Sequence, residues 1–211
     1  MITTAAALVL ASFFIFASFS EFNHNRYGIV INEYDATVTA NMEDVKSNFN
    51  RFDGILLDLG EDSEVTLNNV EASYNSYDLD GESGYSGVYA YADASPAVLI
   101  LKGTNSVIGN KDGDGYGFYA DDINVVVSRG ATLNAYNNTG NGVQLAGSTP
   151  TLTVKKGGAV NVCGNDVVDL VGSGSSSFFP SDGKRYTCDD VVDNGSGFSS
   201  CENPCPVCAL N

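Results

Sequence analysis

The chain has 211 residues, with 26 acidic side chains against 10 basic ones, a formal net charge of −16 and a pI near 4.1. At 43% hydrophobic and 17% charged it is too apolar for a disordered acidic tail, and its net charge repels phosphate backbones, which argues strongly against a nucleic-acid partner. A single histidine, His24, excludes paired-histidine catalysis and histidine-rich zinc sites.

Residues 1–20 carry no charged side chain, and positions 5–19 form an apolar run of 15 residues, the pattern of a secretory signal peptide. Ser18 and Ser20 are small residues that place cleavage after Ser20. An uncleaved anchor is the alternative, although the run falls short of the ~20 residues that span a bilayer. No later stretch approaches that length, so the mature chain is expected to be secreted or at the cell surface, with no stable membrane span.

The next 150 residues repeat. A glycine followed by alternating apolar residues recurs as Gly28-Ile29-Val30-Ile31, Gly54-Ile55-Leu56-Leu57, Gly87-Val88-Tyr89-Ala90, Gly117-Phe118-Tyr119-Ala120 and Gly142-Val143-Gln144-Leu145. A sixth, imperfect copy is Asp166-Val167-Val168-Asp169-Leu170, and the spacings are 26, 33, 30, 25 and 24 residues. Each period holds a second β-like run, such as 97–101 or 123–127, and a third, such as 133–138 or 160–165. Three short strands per ~25 residues, separated by Gly, Asn and Asp turns, predict an all-β chain folded as a three-sided parallel β-solenoid of about five to six coils. An antiparallel sandwich is the rival, and residues 42–49 are the one modest helical candidate.

One coil cannot bury its inward residues alone; stacked coils bury them in a continuous column. Glycine and asparagine are expected where the chain turns through positive φ. Asn75, Asn110, Asn138 and Asn165 fall at one register, where their amides could ladder up the stack.

Over residues 27–171 this pattern resembles the secreted right-handed parallel β-helix proteins of the pectate-lyase-like superfamily, on repeat period and turn chemistry. The resemblance implies a right-handed parallel β-helix domain over 21–171, followed by an irregular tail.

That tail, 172–211, is Gly/Ser-rich and holds Cys188, Cys201, Cys205 and Cys208. The spacing allows four zinc thiolates, but a secreted chain sits in an oxidising compartment, where disulfides are expected. Cys163 follows the inward Val160 and Val162, so it is expected to face outward and to join the tail cysteines.

Several candidate sites stand out. Asn110, Asp112, Asp114, the Tyr116 carbonyl and Asp121 follow the spacing of an EF-hand calcium loop, with Gly115 at its turn; an acidic turn is the plainer reading. Asp78, Asp80 and Glu82 form a second acidic corner. Asn137 and Asn194 head N-glycosylation sequons. Asp121-Asp122 and Asp78-x-Asp80 are the carboxylate pairs a glycoside hydrolase would draw on, and Arg129 is the base a lyase would need. The Gly-His-Gly and Arg-x-Lys segments of the polygalacturonase pattern are absent, and no catalytic residue is assigned. Threonine pairs of ice-binding type occur only at Thr37-x-Thr39 and Thr151-x-Thr153. The expectation is a non-catalytic extracellular protein that binds polysaccharide or a cell-surface or matrix component, with calcium as a possible bridge. A polysaccharide lyase or glycoside hydrolase is the alternative.

Overall fold

The computed structural model describes residues 12–33, 35–76, 85–93, 97–111, 115–172, 177–180, 185–188 and 191–193. In chain order the first strands are β1 (Ser12–Ser18), β2 (Ile29–Glu33), β3 (Thr37–Glu43), β4 (Ile55–Leu59), β5 (Glu64–Asn68) and β6 (Ser86–Ala92). Next come β7 (Ala97–Lys102), β8 (Thr104–Ile108), β9 (Tyr116–Asp121), β10 (Ile123–Val127), β11 (Thr132–Tyr136) and β12 (Val143–Ala146). The last are β13 (Thr151–Val154), β14 (Ala159–Cys163), β15 (Leu170–Gly172), β16 (Ser177–Pro180), β17 (Arg185–Thr187) and β18 (Val191–Asp193).

Every strand pairing is parallel, and the strands stack on three faces. Face A runs β1-β3-β5-β7-β10-β13-β16, and face C runs β2-β4-β6-β9-β12-β15-β18. Face B, β8-β11-β14-β17, is continued through the earlier coils by single bridges from Glu21 to Lys46, Glu71 and Ser106. The expected parallel β-solenoid is thus the observed architecture, and the sandwich is excluded.

The core follows from strand alternation. On face A, Ala40, Val65, Leu99, Val125 and Leu152 lie in one paired column, with Met42, Leu67, Leu101, Val127 and Val154 in the next; all are buried. Face C contributes Ile55, Val88, Phe118, Val143 and Leu170. Each buried aliphatic side chain contributes roughly 1.5–3 kcal/mol, and each is fully covered only because a coil lies on both sides of it.

Three local features stand out, and the first corrects an expectation. Residues 42–49 are not helical: Val45, Ser47 and Asn48 are buried in an extended segment whose hydrogen bonds run to neighbouring coils. Coil stacking outweighs a weak local helical preference. The 12–18 part of the expected signal peptide pairs with β3 along its length, with Phe14 and Phe16 pointing outward at 74% and 77% exposure. The stack also runs past Gly172, because β16, β17 and β18 add one strand to each face. Among the described residues no helix is long and apolar enough to cross a membrane.

Candidate functional site

The corner between faces B and C is built by two residue types acting on each other. Nδ2 of Asn50 donates to Oδ1 of Asn75 at 3.0 Å, Nδ2 of Asn110 to Asn138 at 2.9 Å, and Nδ2 of Asn138 to Asn165 at 2.8 Å. The step between Asn75 and Asn110 is closed by the Asn75 backbone N–H, 2.9 Å from Oδ1 of Asn110. The amide ladder is therefore real, and it includes Asn50, which the repeat alignment missed; the Asn-x-x-x-Gly spacing of Asn50–Gly54 and Asn138–Gly142 carried the signal.

The repeat glycines are not there for positive φ, contrary to expectation. A β-carbon on Gly117 would lie 2.6 Å from Nδ2 of Asn138, and those on Gly54, Gly87 and Gly142 would meet Asn75, Asn110 and Asn165 as closely. Glycine is required because the ladder amide of the next coil rests on its Cα. The positive φ falls one residue before each ladder asparagine, at Phe49, Tyr74, Gly109, Asn137 and Gly164, and at His24 before Asn25, whose N–H donates to Oδ1 of Asn50 at 3.0 Å. At the last rung Nδ2 of Asn165 donates to Oδ1 of Asp169 at 2.8 Å; Asp169 is buried and stands level with Gly142.

This corner delivers face C with fixed register. Its outward side carries one column of Leu56, Tyr89, Tyr119 and Gln144 beside another of Asp58, Tyr91 and Asp121. The Tyr89 and Tyr119 rings stack at 5.0 Å with 7° between planes, and Tyr116 leans on Tyr119 at 5.2 Å. Tyr119 donates its hydroxyl to Asp121 at 3.2 Å, and Tyr91 donates to Asp93 at 2.8 Å.

Desolvation, then the Asp121 carboxylate, pushes the Tyr89 and Tyr119 hydroxyls above the usual phenol range. The hydrogen bond to Asp93 pushes Tyr91 up to about 12. Desolvation also raises the Asp121 carboxyl, against the lowering effect of the Tyr119 bond. The face therefore keeps protonated phenols beside carboxylate acceptors, a row of donors and acceptors one strand spacing apart. Such a row suits a ligand rich in hydroxyls.

Successive ladder asparagines are 25 residues apart up to Asn75, then 35 to Asn110, 28 to Asn138 and 27 to Asn165. Most of the added residues fall on the two rungs that carry the tyrosines, and the 27-residue rung carries Gln144 in their place. Insertions collected on one side of a solenoid commonly mark its binding face.

The proposed calcium ligands are not brought together. Asn110 is fully buried in the ladder, while Tyr116 and Asp121 end opposite sides of an extended six-residue strand. Five residues of strand span about 16 Å, too far for ligands of one ion held at ~2.3–2.6 Å. Asp112 and Asp114 lie outside the described residues, as do Asp78, Asp80 and Glu82. Among the described residues no group of three or more His, Cys, Asp or Glu is placed to hold a metal.

The adjacent carboxylates converge: Oδ1 of Asp121 and Oδ1 of Asp122 lie 2.5 and 2.4 Å from the point a β-carbon on Gly147 would occupy, and Asp122 also accepts the Ser148 N–H. Arg129 lies beyond the far end of β10 from both, so it does not line a groove with them. Asn137 is exposed at its corner, and Asn194 lies outside the described residues. Cys163 and Cys188 are each disulfide-bonded and buried. Cys163 is paired with the half-buried Tyr136 and alternates with Val162, so its burial comes from cover on the side away from the core column. Cys201, Cys205 and Cys208 lie outside the described residues.

The arrangement defines a parallel β-solenoid with a tyrosine- and carboxylate-bearing face. No family model, curated protein or solved structure matches the chain.

Proposed function

We propose that this is a secreted, non-catalytic β-solenoid that binds polysaccharide of a cell surface or extracellular matrix through the outer side of face C. The observation that carries the reading is the stacked Tyr89–Tyr119 pair, with the phenol–carboxylate bonds of Tyr119 and Tyr91 beside it. Stacking fixes the rings before a ligand arrives, which lowers the ordering cost of binding. The apolar leader supports export, as do the disulfide-bonded Cys163 and Cys188. Phe14, Phe16 and Phe19, each more than 70% exposed, make a poor surface in water, which supports removal of the leader. Kinship with the pectate-lyase-like superfamily is part of this proposal and rests on architecture alone.

A carbohydrate-active enzyme is the second reading. It is favoured by Asp58 and Asp121, which share an outward column two strand spacings apart. That is about 10 Å between backbones, near the ~6.5–9.5 Å between carboxyls of an inverting glycosidase.

A glycan array probed with the secreted protein and with Tyr89→Ala/Tyr119→Ala separates the readings, alongside a reducing-sugar assay on the glycans that bind. Binding lost in the double variant without sugar release supports the binding module. Sugar release abolished by Asp121→Asn supports the enzyme, and a glycan profile unchanged in the double variant refutes the role of face C.

A further inference from the structure

The edge where face A meets face B sorts its charges along the stack. Its second coil carries Glu43 and Asp44, and the third carries Asn68 and Asn69, whose amides donate to those carboxylates at 3.1 Å each. The three coils beyond carry Lys102, then Arg129, then Lys155 and Lys156, all exposed. On the neighbouring face Lys46 reaches Glu71 at 3.9 Å. Among the described residues no salt bridge reaches any of these four.

The cations stand on a rigid frame. Ser128-Arg129-Gly130-Ala131 is a turn closed by the Ala131 N–H on the Ser128 carbonyl at 3.0 Å. Lys155-Lys156-Gly157-Gly158 repeats it one coil on, closed at 2.8 Å, with Gly130 and Gly157 at φ of 72° and 74°. Bonds from Lys155 N–H to the Val127 carbonyl and from Ala159 N–H to the Ala131 carbonyl lock one turn over the other, both at 2.9 Å. Arg129 and Lys156 therefore occupy the same turn position about 4.8 Å apart. Lys102 lies two coils from Lys155 in a parallel column, with Ser128 between them.

We infer that this edge is a binding site for a linear polyanionic polysaccharide, bearing carboxylate or sulfate groups, with Arg129 and Lys156 as its central anchors. A planar guanidinium engages either oxyanion through two parallel hydrogen bonds, and the lysines add point charges on both sides. Two neighbouring columns that together place a cation on each of three successive coils match a linear chain bearing repeated anions. They match another copy of this protein less well, because the carboxylates on the same edge are already held by Asn68 and Asn69. The site is separate from the tyrosines of face C and stands whether or not they bind a glycan.

The test uses the secreted protein against immobilised heparin (sulfated), polygalacturonate (carboxylated) and neutral dextran, at about 50 and about 300 mM NaCl, where the screening length falls from roughly 14 to 6 Å. The expected result is binding to at least one polyanion and not to dextran, weakened about tenfold or more by the added salt. Arg129→Gln/Lys156→Gln should weaken it about tenfold at an unchanged melting temperature, and Tyr89→Ala/Tyr119→Ala should leave it intact. The polyanion that binds distinguishes sulfate from carboxylate. The inference is overturned if neither polyanion binds at low salt, or if the Arg129/Lys156 variant binds as well as the parent. It is equally overturned if sedimentation shows that these two residues instead hold together a dimer of the chain.

Discussion

Replacing Asn138 by alanine removes the middle of the amide ladder without touching the apolar core. Oδ1 of Asn138 accepts the Asn110 backbone N–H at 3.1 Å and the Asn110 Nδ2 at 2.9 Å. Both donors lie in a fully buried residue, and water does not reach them to replace the lost acceptor. At about 1–3 kcal/mol for each stranded donor the cost is about 2–6 kcal/mol, a large part of the ~5–15 kcal/mol that holds a domain folded. For a chain of this size a loss of about 4 kcal/mol lowers the melting temperature by roughly 8–16 °C. The assay is thermal and urea unfolding followed by circular dichroism. Asn137→Gly is the control: it changes the exposed neighbour, whose φ of 53° glycine adopts freely, and should shift stability by less than about 0.5 kcal/mol. A cost below about 1 kcal/mol for Asn138→Ala, or equal costs for the two variants, would refute the claim that the ladder holds the coils in register.

Two further predictions test the same frame. Gly117→Ala sets a methyl group 2.6 Å from both Asn138 Nδ2 and the Gly142 carbonyl and should cost several kcal/mol, on the order of the severest core substitutions, whereas Gly130→Ala, with open space around it, should cost only about 1–2 kcal/mol of left-handed strain. Comparable melting temperatures for the two variants would count against close approach as the reason for glycine. Burial raises the Asp53 carboxyl from 3.8 to about 7, against the Ser86 N–H bond that lowers it. Its folded value exceeds its unfolded one, so the contribution is fully present below pH 3.8 and is lost as pH rises through about 7, amounting to roughly 4 kcal/mol. Asp53→Asn keeps the acceptor for Ser86, so it should melt higher than the parent at pH 8 and level with it near pH 4; parallel melting curves across that range would show that Asp53 is not the group responsible.

The architecture was legible because strand alternation and turn residues repeat in every coil. The glycine-headed runs mark face C, and the asparagines of four coils mark one corner. The reason for the glycines was not legible, since it is a contact between residues more than twenty positions apart: Gly117 looks like a turn residue until Asn138 is laid over it. Residues 42–49 misled for a related reason, because local spacing carries no information about the coil that will stack on them. The tyrosines of face C were overlooked as outward strand residues. Only the register that pairs Tyr89 with Tyr119, and Tyr91 with Asp121, joins them into one surface. The calcium spacing failed in the opposite sense, since a ligand pattern drawn from a loop was laid across residues that belong to an extended strand.

Asp169 shows how the amide ladder can carry its own stop signal while the strands stack on beyond it. An asparagine both receives and donates, so three of the four steps of the ladder pass a side-chain amide donor to the next coil and invite another rung. A carboxylate only receives. Asp169 takes the donor of Asn165 and offers none in return, and its Cβ occupies the place that a glycine leaves bare for an incoming amide. The aligned amide dipoles present their positive end at this rung, and a buried carboxylate meets it there, much as an acidic residue caps the start of a helix. One residue thus writes the length of the ladder into the sequence, without relying on the chain running out.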